Sequence, residues 1–263
     1  MSKRSVLRGL LALAMLTLMS VAAAAQAAPS APTAVRVRVA HLAPFPGSNT
    51  ANLTVHVDGA AVGGTMAFGG HSAYQTLAAG PKDYTVEVLR NGETVLTTTI
   101  ALGDGDSSLV VIGDEDRVPL AVLKVDENLA DPGPGAGGLR VIHVAAIGAT
   151  IAETQVDVCS QGGELFHATA HGLRYIRSTA YRLLPVGAYD LKVTRYDETT
   201  PCGGGLVVDL PVVNLTEGDR TTLYLVGDGP HQRLGGFTFE DGLLGGETPT
   251  QHHLYMPVTA ASS

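Results

Sequence analysis

The side chains best suited to chemistry in this 263-residue chain are nine histidines, two cysteines and several acidic turns. His41 and His143 close matching apolar stretches, Val37–Leu42 and Leu139–Val144. Counting parity along each stretch puts both imidazoles on the valine face, pointing inward. Such a ring can act as a ligand or a base in a pocket. It can also sit neutral in a core, hydrogen-bonded to the backbone of the following loop, because a buried polar group needs a partner. Equivalent placement in two copies suits the second role, so His41 and His143 are read as structural. His167 and His171 have a spacing that on a helix would aim both at one metal. Ala168-Thr169-Ala170 and Gly172 place them in a loop-and-strand region, where that geometry is absent. His252 and His253 belong to a terminal tail.

Cys159 and Cys202 are the only cysteines. In an exported chain a single pair reads as one disulfide, and closing a loop of roughly 40 residues stabilises a fold by about 4 kcal/mol. Their spacing is neither a redox nor a zinc C-x-x-C. The turns Asp104-Gly105-Asp106, Asp114-Glu115-Asp116 and Glu217-Gly218-Asp219 offer hard oxygens for calcium. None has the spacing of a dedicated calcium loop, and an acid-Gly-acid step between strands is ordinary turn chemistry. No Gly-x-Ser-x-Gly elbow is present, and the glycine runs at 137–138 and 203–205 lack a strand-to-helix setting for phosphate. The reading assigns no catalytic residue, no metal and no cofactor.

These residues must be positioned by strands. Val35, Val37 and Val39 alternate with Arg36 and Arg38; Leu53, Val55 and Val57 alternate with Thr54, His56 and Asp58; Tyr84, Val86 and Val88 alternate with Thr85 and Glu87. Period-two patterning marks strands with one buried and one wet face, which puts Arg38 on the wet side. Asn91-Gly92 is a favoured two-residue hairpin turn, and the wholly apolar run Leu109–Ile112 suits a central strand. The chain holds 32 Gly and 14 Pro, no Trp and no sustained helical period, as short strands and tight turns require. A Pro/Gly stretch at 129–138 breaks the pattern, after which it begins again. Val37-Arg38-Val39-Ala40-His41-Leu42 matches Leu139-Arg140-Val141-Ile142-His143-Val144, Ala73-Tyr74 matches Ala180-Tyr181, and Gly113-Asp114 matches Gly227-Asp228. The expected fold is all-β: two tandem immunoglobulin-like or transthyretin-like antiparallel β-sandwich repeats, at 33–128 and 139–242, joined by that linker.

The strand ending Arg38-Val39-Ala40-His41, the Val55–Gly59 strand and the Ser72-Ala73-Tyr74 step followed by Ala78-Ala79-Gly80 resemble the DUF4397 family of exported bacterial domains. The resemblance spans residues 35 to 242, with the second copy departing at His143-Val-Ala-Ala146, where a proline and an acid are missing. It implies a β-sandwich module of uncharacterised function and supplies no active site.

Lys3, Arg4 and Arg8, the apolar run Leu10–Met19 and Ala25-Gln26-Ala27 have the order of a cleaved signal peptide over 1–27. The apolar run is too short for a spanning helix. The chain carries a net charge of −8, and cleavage would remove three bases and no acid. An acidic surface repels phosphate backbones and anionic lipids, so nucleic acid and membranes are poor partners. The tail over 243–263, with His252-His253-Leu254-Tyr255, reads as a flexible end. Together these features suggest a secreted or cell-surface, non-catalytic structural or interaction module that meets an extracellular protein. Glycan binding is the alternative, weakened by the absence of Trp platforms.

Overall fold

The computed structural model describes residues 34–46, 52–127, 131–148, 150 and 152–241. The signal segment at 1–27 and the tail at 243–263 lie outside them, as do parts of the loops at 44–51 and 147–154.

The first half contributes β1 (Val35–His41), β2 (Leu53–Val57), β3 (Ala60–Met66), β4 (Gln75–Thr76), β5 (Lys82–Arg90), β6 (Glu93–Leu102), β7 (Gly105–Ile112) and β8 (Ala121–Asp126). They form two sheets, ordered β4-β1-β7-β8 and β3-β2-β5-β6. The valines of β1 with Leu109 and Val111 of β7 pack against Leu53, Val55, Val86 and Val88 in one core. The hairpin between β5 and β6 turns at Asn91 and Gly92, both at positive φ (53° and 88°), as the alternation predicts for that pair.

The second half repeats the order with β9 (Ala136–His143), β10 (Val156–Ser160), β11 (Arg177–Ser178), β12 (Arg182–Pro185), β13 (Gly187–Tyr189), β14 (Leu191–Arg195), β15 (Leu206–Asp209), β16 (Val213–Leu215), β17 (Arg220–Val226) and β18 (Gly235–Glu240). Here β11-β9-β17-β18 faces β10-β14-β15, with β13-β16 as a separate pair. Leu139, Val141, Leu223 and Leu225 meet Val156, Val158, Leu191 and Val193 across the second core. Pairing is antiparallel throughout except for β1 with β7 and β9 with β17, which run parallel. The linker is shorter than its composition suggests. β9 already starts at Ala136, and Gly137 suits the strand because a Cβ there would lie 3.0 Å from Thr216 O.

Two sheets carry apolar residues on both faces. Ala40, Leu42, Val110 and Ile112 of the first half pack against Ile142, Val144, Tyr224, Val226, Phe237 and Phe239 of the second, forming a third core between the halves. The described residues accordingly fall in one compact unit that begins at Ala34. Among them, no helix is long and apolar enough to cross a membrane.

Candidate functional site

The third core encloses a charged network, and it corrects the placement of Arg38. Its strand alternates as expected, but the face opposite the valines is covered by the other half, leaving Arg38 0% exposed. Arg38 Nη2 donates to Glu127 Oε1 at 2.9 Å and to Asp241 Oδ1 at 2.6 Å; both acids are fully buried. Its Nε donates to Ser108 Oγ at 2.6 Å, and its Nη1 to the carbonyl of Glu240. Arg140 mirrors it. Arg140 Nε donates to Thr222 Oγ1 at 2.6 Å, Nη1 to Asp126 O at 3.0 Å and Nη2 to Asp241 Oδ2 at 3.4 Å. Tyr181 and Thr222 hydroxyls also donate to Asp241. Apart from Tyr181, each of these side chains has its counterpart: Arg38 and Arg140, Ser108 and Thr222, Glu127 and Asp241. The network therefore has approximate two-fold symmetry, and Arg38 joins an acid of its own half to one of the other.

A second pair of equivalents lies at the turns after β7 and β17. Asp114 accepts from the Arg117 and Val118 amides, and Asp228 from those of His231 and Gln232. Arg117 crosses to Asp228 at 3.3 Å, while His231 faces Asp116 at 3.6 Å. The preceding Gly113 and Gly227 hold φ of 99° and 92°, and a Cβ on either would lie 2.3 or 2.2 Å from a carbonyl oxygen. The Gly-Asp step is thus glycine for backbone space and aspartate for the turn amides. The other acidic turns also have engaged carboxylates: Asp106 pairs with Arg36 at 3.4 Å, and Asp219 accepts from Thr216. No cluster of three His, Cys, Asp or Glu able to hold a metal occurs among the described residues.

Glu127 sits awkwardly in the network. Its Oε1 takes bonds from Arg38 and Ser108, but its buried Oε2 has no partner. Burial first, and the Asp241 charge second, push its carboxyl up from 4.5 to about 8. A carboxyl raised in the folded state gives stability below its unfolded value and loses it as pH rises through the folded one. Wild-type stability should therefore fall between pH 4.5 and 8. Glu127→Gln, which mimics the protonated acid, should remove that decline and leave the variant more stable at pH 8.5, by up to about 4–5 kcal/mol. Urea midpoints at pH 5 and 8.5 check this; an equally steep decline in the variant would exonerate Glu127.

His41 and His143 are each 1% exposed. His143 Nε2–H donates to Thr154 O at 2.7 Å, and Nδ1 accepts from the Ala145 amide at 3.2 Å. Burial lowers its pKa from 6.5 to about 4. His41 Nδ1 accepts from the Ala43 amide at 3.4 Å, and its ring lies against Phe45 and Phe68. A histidine depressed in the folded state supports the fold above pH 6.5 and withdraws that support as pH falls through 4. His143 should thus contribute up to about 3 kcal/mol of acid sensitivity over that window. His143→Gln should flatten the stability profile between pH 6.5 and 4; an unchanged acid limb would assign it elsewhere.

Cys159 and Cys202 are joined, with Cα atoms 6.1 Å apart. Beside them lies Asp157, fully buried, which no sequence signal singled out. It accepts from the Gly172 amide at 2.8 Å and the Cys202 amide at 2.9 Å, and lies 3.0 Å from His171 Nδ1. His167 instead caps the short turn at Ala168–Ala170 through the Thr169 amide, so the two histidines serve different partners. Tyr175, Tyr181 and Tyr196 form no exposed platform. Tyr175 is buried in the third core, Tyr181 binds Asp241, and half-buried Tyr196 stacks on His171.

Residues 36–153 match DUF4397, described as a domain of unknown function. This segment belongs to the DUF4397 family. The DUF4397 match ends well short of residue 242, where the sequence resemblance had extended. It takes in the first half from Arg36 onward, β9 and the start of the turn at Ala152–Thr154, and with them Arg38, Ser108, Glu127 and Arg140. No curated protein matches the chain. Among solved structures, the Bacillus anthracis TIE protein aligns at 12% identity and a TM-score of 0.21, over 74% of this chain and 34% of its own. A leucine-rich repeat protein from Bacteroides thetaiotaomicron VPI-5482 aligns at 13% identity and a TM-score of 0.18, over 76% of this chain and 26% of its own. The chain thus spans only about a third and about a quarter of those two proteins.

Proposed function

We propose that this protein acts outside the cytoplasm as a non-catalytic structural or interaction module, its two halves locked into one body that presents loops to a protein partner. The observation that carries this reading is the direction of the polar chemistry. Arg38, Glu127, Arg140 and Asp241, all buried, bond to one another where the halves meet. A buried network of this kind specifies how two elements dock. The Cys159–Cys202 bond suits an oxidising compartment, where such bonds persist.

Fractionation of the native cell tests the reading. A mature chain starting near residue 28, recovered outside the cytoplasm without free thiols and cross-linked to a partner protein, is the expected result. A cytoplasmic chain that retains Met1 and has two free thiols would contradict it. So would substrate turnover by the purified protein that one point change abolishes.

A further inference from the structure

One tight turn occurs in both halves with different side chains. In the first half, Ala67-Phe68-Gly69-Gly70 precedes β4. The Gly70 amide closes it on Ala67 O at 2.8 Å, and the Gly69 amide donates to His41 O at 2.7 Å. In the second half, Arg174-Tyr175-Ile176-Arg177 leads into β11. The Arg177 amide closes it on Arg174 O at 3.0 Å, and the Ile176 amide donates to His143 O at 2.7 Å. The aromatic anchor is kept, since Phe68 and Tyr175 both pack in the third core. The third position holds a positive φ in both turns, 82° at Gly69 and 56° at Ile176. Glycine sits there without strain, whereas a β-branched residue is an outlier. At Gly69 space also demands glycine, because a Cβ would lie 2.5 Å from the Phe237 ring. Ile176 is instead 48% exposed, and Arg174 and Arg177 on either side of it are exposed too. Arg36, Arg38, Arg90, Arg117 and Arg140 each pair with an acid. Arg174 and Arg177 pair with none among the described residues, in a chain of net charge −8.

We infer that the Arg174–Arg177 turn is the surface by which the module holds its protein partner, and that it takes an acidic segment with an apolar side chain between carboxylates. The inference rests on the module reading and adds to it the site and the chemistry of the partner. Backbone strain of this kind collects at binding sites. Charge complementarity selects the occupant: two guanidinium groups without acids of their own match carboxylates, which they can grip with paired N–H donors. Ile176 between them favours a protein segment over a bare anion, because an apolar centre ringed by charge is the pattern of a protein interface. Screening limits the reach of the chain's overall negative charge to about 8 Å at physiological ionic strength, so the two nearby arginines govern what approaches the turn.

Calorimetric titration of the full chain with a synthetic peptide of aspartate and glutamate around one central leucine tests this. The comparison variant carries Arg174→Ala, Ile176→Gly and Arg177→Gly together, the residues that form the same turn at Ala67, Gly69 and Gly70, so it keeps the fold, which circular dichroism verifies. The wild type is expected to bind the leucine peptide, more weakly as salt is added, and the triple variant to bind it at least about tenfold more weakly. The same peptide with serine in place of leucine, and inorganic polyphosphate, should bind the wild type less well than the leucine peptide. No binding by the wild type at millimolar peptide, or equal binding by the triple variant, would overturn the inference. Equal binding of the serine peptide or of polyphosphate would also overturn it, marking a bare anion site. Cross-linking in the native cell separates this failure from that of the module reading. A partner captured equally by wild type and triple variant would remove the turn and leave the module, whereas no partner for either would remove both.

Discussion

Arg38→Met will lower the unfolding free energy by about 3–5 kcal/mol, the usual cost of removing one partner from a buried ionic group. Glu127 and Asp241 are both fully buried and both bonded to Arg38. Without it, Glu127 loses its cation, and Asp241 keeps Arg140 at 3.4 Å and the Tyr181 and Thr222 hydroxyls. The added apolar surface of methionine offsets at most about 1–2 kcal/mol of this, since the buried donors lost to Glu127, Asp241 and Ser108 outweigh one buried thioether. The control is Arg36→Met, two residues earlier on the same strand. Its side chain is 26% exposed and pairs with Asp106 at 3.4 Å, so its loss should stay within about 1 kcal/mol. Urea midpoints of the two variants measure the difference. Equal midpoints would mean that Arg38 contributes no more than a surface charge.

Replacing Cys159 and Cys202 together by alanine should cost about 4 kcal/mol, the chain-entropy value for their separation of 43. In a domain of this size that lowers the melting temperature by roughly 8–16 °C. The fold itself should survive, because β10 keeps its five-residue ladder with β14. The loss has a local component as well. Cys202 holds a φ of 63°, costly for any residue but glycine, and its amide donates to Asp157. Once the sulfurs part, the loop is free to relax and Asp157 loses one of its bonds. Differential scanning calorimetry of oxidised and variant protein gives the shift, and an unchanged midpoint would make the bond thermodynamically idle.

Much of the fold was legible in the valines. Alternation placed β1, β2 and β5 and the inward faces of His41 and His143, and Asn91-Gly92 gave the hairpin. Arg38 shows where that logic stops. Alternation separates the two faces of one strand but cannot reveal that the second face meets another sheet. The apolar run Leu109–Ile112 held the clue, because a strand with no polar face must be covered on both sides. The matched positions of Arg38 and Arg140, read with Glu127 and Asp241, held another. Asp157 was hidden for a similar reason: between Val156 and Val158 it reads as a wet-face residue, yet loops at 171–172 and 202 fold over it. The parallel pairing of β1 with β7 was not readable, since it joins strands separated by the whole of the other sheet.

The account stands on the two halves sharing one interior. Calorimetric unfolding tests that most directly, by comparing the measured enthalpy with the van't Hoff enthalpy. One transition with the two values equal is expected for the wild type. Two resolved transitions, each carrying part of the heat, would show that the third core and its charges do not bind the halves together.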